Sequence, residues 1–309
     1  MLKYILKRLL MAFATLWVIS TLTFILMHTL PNDPFTDPKL KPEVRQALRV
    51  KYGLDKPVPE QYVIYMKNLL KGDLGTSIKH PGRSVTDIIA ESFPKSFALG
   101  WRALVIAVVF GLILGVIAAL NHQKTLDYLS IIIAIVGVSI PSIILGPILA
   151  YFFGVKLGWF PVTVDKTQIS LFLPSLTLAM SSLATISRLM RTTTLEVLGQ
   201  DYISTAKAKG LSKLQIVLRH VLRNAVMPII TILGPLFAAL ITGSIVVEKI
   251  FAVAGLGEYF VSTITEQDYP MIMGITIFYA ALIILSILVV DILYGFIDPR
   301  LRISGKGGK

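Results

Sequence analysis

The chain has 309 residues, 54% hydrophobic and only 16% charged, with a net charge of +12. That apolar fraction, gathered into long runs, excludes an ordinary soluble domain and points to an integral membrane protein. The basic excess gives no reason to expect nucleic acid as a partner, because the charges sit at the ends of apolar runs and in loops. The absence of cysteine excludes disulfides, thiolate metal sites and thiol catalysis.

The N-terminus, MLKYILKRLL, is basic and then apolar as far as Leu30. The run is too long for a signal-peptide core, and Pro31-Asn32-Asp33 is no small-residue cleavage site, so it reads as a retained first span near 9–29. Residues 31–95 form a long segment with short helices. Pro42 opens a run with Val44, Ala47, Leu48 and Lys51 on one side; Pro59 opens another, with Tyr62, Tyr65, Met66 and Leu69 at helical spacing and Gly72 as a stop. Ser84, three residues before Asp87, caps a third helix expected to end near Pro94. Two readings stand for this segment: a helical cap over the span ends, or a docking surface for a delivered substrate.

Five further runs, near 97–120, 128–153, 171–192, 225–247 and 271–295, are long enough to cross the bilayer. The second span carries Gly111 and Gly115 at a spacing that permits close helix approach. The third contains Ser139-Ile140-Pro141-Ser142, where proline bends a helix; the bend serves either a pathway wall or packing. The fourth holds Ser181, Ser182, Thr185 and Ser187, hydroxyls that either bond a neighbouring helix or line a wet cavity. The fifth contains Pro235, Thr242 and Ser244. Ser139, Pro141, Ser142, Ser181, Ser182, Thr185, Thr242 and Ser244 are thus the candidate pathway residues. The sixth ends at Asp291 and Tyr294, where the aspartate either pairs with a loop cation or relays protons.

Six spans place both termini on one side. Lys3, Lys7 and Arg8, the cations from Arg188 to Arg223, and Arg300, Arg302, Lys306 and Lys309 all fall on that side. The positive-inside rule makes it cytoplasmic.

Much chemistry is missing. The chain has no phosphate-binding loop, no H-E-x-x-H, no G-x-S-x-G, and its four histidines are scattered. No convincing repeat relates the two halves. An enzyme is not expected, nor a metal or other cofactor. The chain reads as a translocation path driven from elsewhere, with an ion-gradient carrier or channel, or a membrane scaffold, as the alternatives.

The loop 193–224 is the most specific stretch. Asp201 suits the N-cap of a short helix through Lys209, and Gly210 suits the left-handed residue that ends one. Ser212 and Gln215 have capping-box spacing for a second helix, with Leu214, Val217, Leu218, Val221 and Leu222 on one stripe. That helix is expected to continue rigidly into the fifth span, forming a lever. The plain alternative is an amphipathic positive-inside loop.

The run TAKAKGLS…LRHVLRNAVMP resembles the coupling motif of ABC importer permeases of the peptide branch. LPNDPF at 30–35, YGLDKP at 52–57, FPKSFALG at 93–100, VSIPS at 138–142, EKIFAVAGLG at 248–257 and DILYGFIDPRLR at 291–302 agree with that branch, most closely with the oligopeptide permease B subunit of Gram-positive bacteria, with the dipeptide permease a near neighbour. The resemblance implies an all-α type I importer permease: a first span over 1–30, an extracytoplasmic segment over 31–95, and a five-helix core over 96–309. It implies a coupling helix with Asp201, Tyr202, Ser204, Thr205, Ala206, Lys207, Lys209 and Gly210 docking on an ATPase. It further implies a second permease, two ATPase subunits, an extracellular peptide-binding protein and peptide as the substrate. The glutamate of the general motif is replaced by Ser204, so Lys207, Lys209 or Asp201 would supply the polar contact.

Overall fold

The computed structural model describes residues 2–29, 35, 41–163, 168–242 and 244–297. LPNDPF apart from Phe35, the residues after Ile297, Lys166 and Gly243 lie outside them, as do the side chains of Asp291 and Tyr294. The described residues are helical, with a single isolated bridge, Thr76 to Ser84, in place of any strand. They divide into two units: Met1–Pro94 with Gly255–Ile284, and Lys95–Ala254 with Leu285–Lys309.

The first unit contains α1 (Leu2–Thr29), α2 (Pro42–Lys51), α3 (Val58–Leu70) and the beginning of α4 (Val85–Leu120). Proline stands in the first turn of both α2 and α3, where its missing N–H costs nothing. Ser84 Oγ accepts from Asp87 N at 3.0 Å, so the expected cap is present. The expected stop at Pro94 is absent: α4 runs unbroken for 36 residues through it. Proline deprives a helix of one hydrogen bond, which this long apolar helix absorbs.

Val85, Ile88 and Ile89 of α4 bury themselves against Leu256, Met271 and Ile275. Leu256 opens the helix Leu256–Glu266, and the last two belong to the helix Tyr269–Ile297. Asp268, fully buried between those helices, accepts from Ser77 Oγ, from Ile78 N and Lys79 N at 3.1 Å each, and from Met271 N at 3.3 Å. One carboxylate therefore ties the 77–79 loop to the start of a helix almost two hundred residues later in the chain. On α1, Phe24 stacks on His28 and Tyr65, with ring centroids 4.1 and 5.7 Å apart.

The second unit holds the rest of α4 and then α5 (Thr125–Ser139), α6 (Ser142–Leu149), a π-helical turn (Ala150–Lys156) and α7 (Phe172–Leu198). It continues with α8 (Asp201–Ala208), α9 (Lys213–Ile216), a π stretch (Val217–Val221), α10 (Leu222–Ala225), α11 (Met227–Ile241) and α12 (Ile245–Ile250). The remaining helices, α13 (Leu256–Glu266) and α14 (Tyr269–Ile297), complete the order.

Four helices are long and apolar enough to cross a membrane: Leu6–Thr29, Val85–Leu120, Ile169–Leu198 and Tyr269–Val289. Two bent pairs would raise the number to six. Both correct the simple spans expected near 128–153 and 225–247. In the first, α5 and the following helical segment meet at 115°, sharper than a proline kink. Ile140, which precedes Pro141, is extended at φ −93°, ψ 114°, because the proline ring pushes its predecessor out of the helical region. In the second, Lys213–Ala225 and Met227–Ile241 meet at 53° about Val226; beyond Ile241, Ser244 caps a new short helix, accepting from Val247 N at 3.4 Å.

Gly111 and Gly115 lie against α7 as their spacing suggests. A Cβ on Gly115 would sit 2.6 Å from both Ser187 O and Met190 Cβ, and one on Gly111 would sit 2.8 Å from Ile186 Cγ2.

Candidate functional site

The loop after α7 is built from local signals that the structure realises closely. Gln200 occupies the N-cap position of α8, one residue before the expected Asp201. Asp201 instead begins the helix, where its charge still faces the positive helix end. At the other end Gly210 has φ +76°. Gly210 N donates to Lys207 O at 3.0 Å and Leu211 N to Ala206 O at 3.3 Å, the paired bonds of a Schellman stop. The capping box follows at once: Gln215 N donates to Ser212 Oγ at 3.3 Å, and Ser212 N to Gln215 Oε1 at 2.9 Å.

Helix α8 has two faces. Ile203 and Ala206 are buried in the core that contains Ile186 and Met190 of α7 and Ala103 and Ala107 of α4. Asp201, Tyr202, Ser204, Thr205, Lys207 and Lys209 are exposed. Tyr202 Oη accepts from Asn224 Nδ2 at 3.3 Å, which pins α8 to α10. Ala206 therefore faces inward, against the chain's own core, and is not offered to a partner as the motif comparison suggested.

The stripe on the following helix also divides. Val217 and Val221 are buried, together with Ile216 and Ala225, whereas Leu214 and Leu218 are 67% and 56% exposed. The π stretch explains the difference: each i→i+5 turn holds an extra residue and shifts the phase that an α-helical reading assumes. At Val226 the chain turns by 53° into α11. The joint is thus not straight along its backbone. Its firm connection is sideways, through Ile203 and Ala206, and through Thr193 Oγ1, which donates to Ala225 O at 2.9 Å.

A second anchor escaped the sequence reading, which treated Arg191 only as a charge that marks topology. Asp127, 1% exposed, accepts from Arg191 Nε at 2.6 Å and from Arg191 Nη2 at 2.8 Å. Its Oδ2 also accepts from Gln123 N at 2.9 Å and lies 3.3 Å from His122 Nδ1. This bidentate, charge-assisted pair fastens the turn between α4 and α5 to the same stretch of α7 that Gly115 touches. The two partners are 64 residues apart, and the only local signal was an aspartate in a helix's first turn.

The hydroxyl-bearing residues fall into two groups. Ser181 and Thr185 are exposed on α7, and Thr185 Oγ1 donates to Ser181 O at 2.9 Å. Ser182 and Ser187 are buried and belong to packing. Ser139 and Pro141 are exposed at the α5–α6 break, with Ser142 half-buried. Thr242 and Ser244 flank the end of α11, where Thr242 Oγ1 donates to Ala239 O at 3.1 Å and Ser244 caps α12. The row Ser181, Thr185, Arg188, Thr192 lies on one face of α7 at steps of four and three residues. On α11 the exposed row is Pro228, Thr231, Pro235, Ala239. After Phe172, neither helix exposes a large hydrophobic side chain, whereas α1 and α5 expose many.

This arrangement of helices has relatives. Residues 111–303 match the model of the binding-protein-dependent transport system inner membrane component, and residues 1–100 match the model of that component's N-terminal part. The chain belongs to this family. Over 308 residues it is 47% identical to the dipeptide transport system permease protein DppB of Bacillus subtilis, covering 99% of this chain and 100% of the relative. It is 43% identical over 305 residues to the oligopeptide transport system permease protein OppB of Haemophilus influenzae, covering 98% and 100%. Among solved structures, a chain of the inward-facing MetNI methionine ABC transporter superposes with a TM-score of 0.57 at 20% identity, over 68% of this chain and 96% of that one. The fold is therefore that of an ABC importer permease, and the family places the protein in the cytoplasmic membrane.

Proposed function

We propose that this chain is one of two permease subunits of an ATP-driven importer of dipeptides or oligopeptides. The observation that carries the reading is α8. It is a short helix with a folded inner face, an exposed polar outer face and a defined stop, in a chain that matches peptide permeases along its full length.

In this reading both bent pairs are single crossings, giving six spans with both termini and α8 in the cytoplasm. Residues 31–95 face outward and receive peptide from an extracellular binding protein, residues 1–30 provide the first span, and 96–309 form the translocating core. A second, similar permease completes the pathway, and two ATPase subunits dock below. Tyr202, Ser204, Thr205, Lys207 and Lys209 meet one ATPase, with Asp201, Lys207 or Lys209 supplying the polar contact. Ile203 and Ala206 pass displacement into α7 and α4. Closure of the ATPases on ATP thereby swings the core as a body, alternately opening a pathway walled by Ser181 and Thr185. The chain contributes geometry, not hydrolysis.

The test uses the assembled transporter. Thr205→Trp places a bulky ring on the exposed face of α8, removing only the local bond from Thr205 Oγ1 to Asp201 O. It is expected to leave the permease folded in the membrane while lowering peptide uptake about tenfold or more, the effect of roughly 1.4 kcal/mol of lost docking. Uptake at the wild-type rate with both ATPases bound would remove α8 from the coupling path.

A further inference from the structure

The C-terminal half of α7 carries two arginines one turn apart in opposite situations. Arg191 is neutralised by Asp127 and held by two bonds of 2.6 and 2.8 Å. Arg188 is exposed, and among the described residues no carboxylate forms a salt bridge with it. It continues the row that begins with Ser181 and Thr185.

A guanidinium on the outside of a membrane-crossing helix needs water, a lipid headgroup or a counter-charge. The face that Arg188 shares favours water over lipid tails. It presents hydroxyls on α7, and Thr231, Pro235 and Ala239 are exposed on α11, with no exposed large apolar side chain on either helix beyond Phe172. Such a wall offers hydrocarbon few large apolar side chains to cover, and it carries a cation that has no salt-bridge partner among the described residues.

We propose that Arg188 is a subsite for the C-terminal carboxylate of the peptide as it passes along this face. The inference rests on the peptide-import reading above. Peptides of differing sequence share only their backbone, an ammonium and a carboxylate, so a wall that accepts many of them must read those groups. The planar fork of arginine matches a carboxylate with two parallel bonds, which lysine cannot do. At about 1.5 Å rise per residue, Thr185 stands roughly 4.5 Å along the helix from Arg188 and Ser181 roughly 10.5 Å. An extended peptide advances about 3.3–3.6 Å per residue, so these hydroxyls fall about one and three residues from the carboxylate. Thr185 donates its own proton to Ser181 O, which leaves its lone pairs to accept from a peptide N–H.

The experiment reconstitutes the complete transporter in liposomes and supplies saturating binding protein with trialanine or trialaninamide. Arg188→Gln is expected to lower trialanine uptake about tenfold, and Arg188→Lys to lie between it and wild type, with both ATPases still bound. Trialaninamide uptake, each relative to wild type with that substrate, should change less than about twofold. Unchanged trialanine uptake in Arg188→Gln would overturn the proposal and leave Arg188 to lipid headgroups. An equal fall for both peptides, in both variants, would overturn it in favour of a structural role. A wild-type complex that imports neither peptide would refute the peptide-import reading, and with it the assignment of Arg188, whereas a fall in the variants alone bears on Arg188 only.

Discussion

Replacing Asp127 with asparagine removes the charge that holds Arg191 while keeping the shape of the side chain. The carboxylate is 2% exposed and the guanidinium 23% exposed, so the arginine left behind is largely shut off from water. Removing one partner of such a pair costs about 3–5 kcal/mol, and the partial exposure of Arg191 argues for the lower figure. The asparagine amide also turns a donor toward Arg191 or toward Gln123 N, whichever way it settles, so at least one of the bonds at 2.6, 2.8 and 2.9 Å is lost. A loss of about 3 kcal/mol corresponds to roughly 6–12 °C in the midpoint of thermal unfolding for a unit of this size. The assay is the temperature at which detergent-purified permease loses its fold, read by intrinsic fluorescence, beside peptide uptake in membranes. A second variant sharpens the reasoning. Asp127→Asn combined with Arg191→Gln removes both charges and should recover most of the loss, since the cost lies in the unpaired ion and not in the missing pair. If the double variant is as unstable as the single one, or if Asp127→Asn melts within about 2 °C of wild type, the pair does not hold the α4–α5 turn to α7 as described.

Two further outcomes follow from packing. Gly115→Leu should prevent accumulation of folded protein in the membrane, because even a Cβ there meets the backbone oxygen of Ser187 at 2.6 Å, and a leucine cannot be accommodated without separating α4 from α7; normal expression on a membrane blot would contradict the close approach. Asp268→Asn places a donor amid Ser77 Oγ, Ile78 N, Lys79 N and Met271 N, leaving at least one buried donor unmet at about 1–3 kcal/mol, and the 77–79 loop should become the first site cut by protease added to the detergent-purified permease.

Much of this arrangement could be read from the sequence wherever the signal was short-range. The stop at Gly210, the box at Ser212 and Gln215, the cap at Ser84 and the first-turn prolines Pro42 and Pro59 depend on a few neighbouring residues, and the structure contains them. Gly111 and Gly115 face α7 because a four-residue spacing fixes one helix face. Long-range and phase-dependent features were hidden. Asp127 and Arg191 are joined across two helices that carry no shared motif. Ser181 and Ser182 look alike in an apolar helix, yet one is exposed and its neighbour is buried. The stripe on Leu214 and Leu218 failed because the π stretch over Val217–Val221 changes the turn that periodicity counts on. Pro141 announced a bend, but not that Ile140 would leave the helix altogether and open it to 115°.

The two faces of α8 separate two kinds of inheritance. Ile203 and Ala206 answer to the fold, and a change there must be matched by changes in α7 and α4. Ser204, Thr205 and Lys207 are exposed, and on the docking proposed above they answer chiefly to the ATPase. A duplicated permease could therefore drift toward a different ATPase by altering three surface positions while its interior stayed fixed. Loyalty to a partner would then diverge faster than architecture, and the absent motif glutamate at Ser204 is the kind of mark such drift would leave.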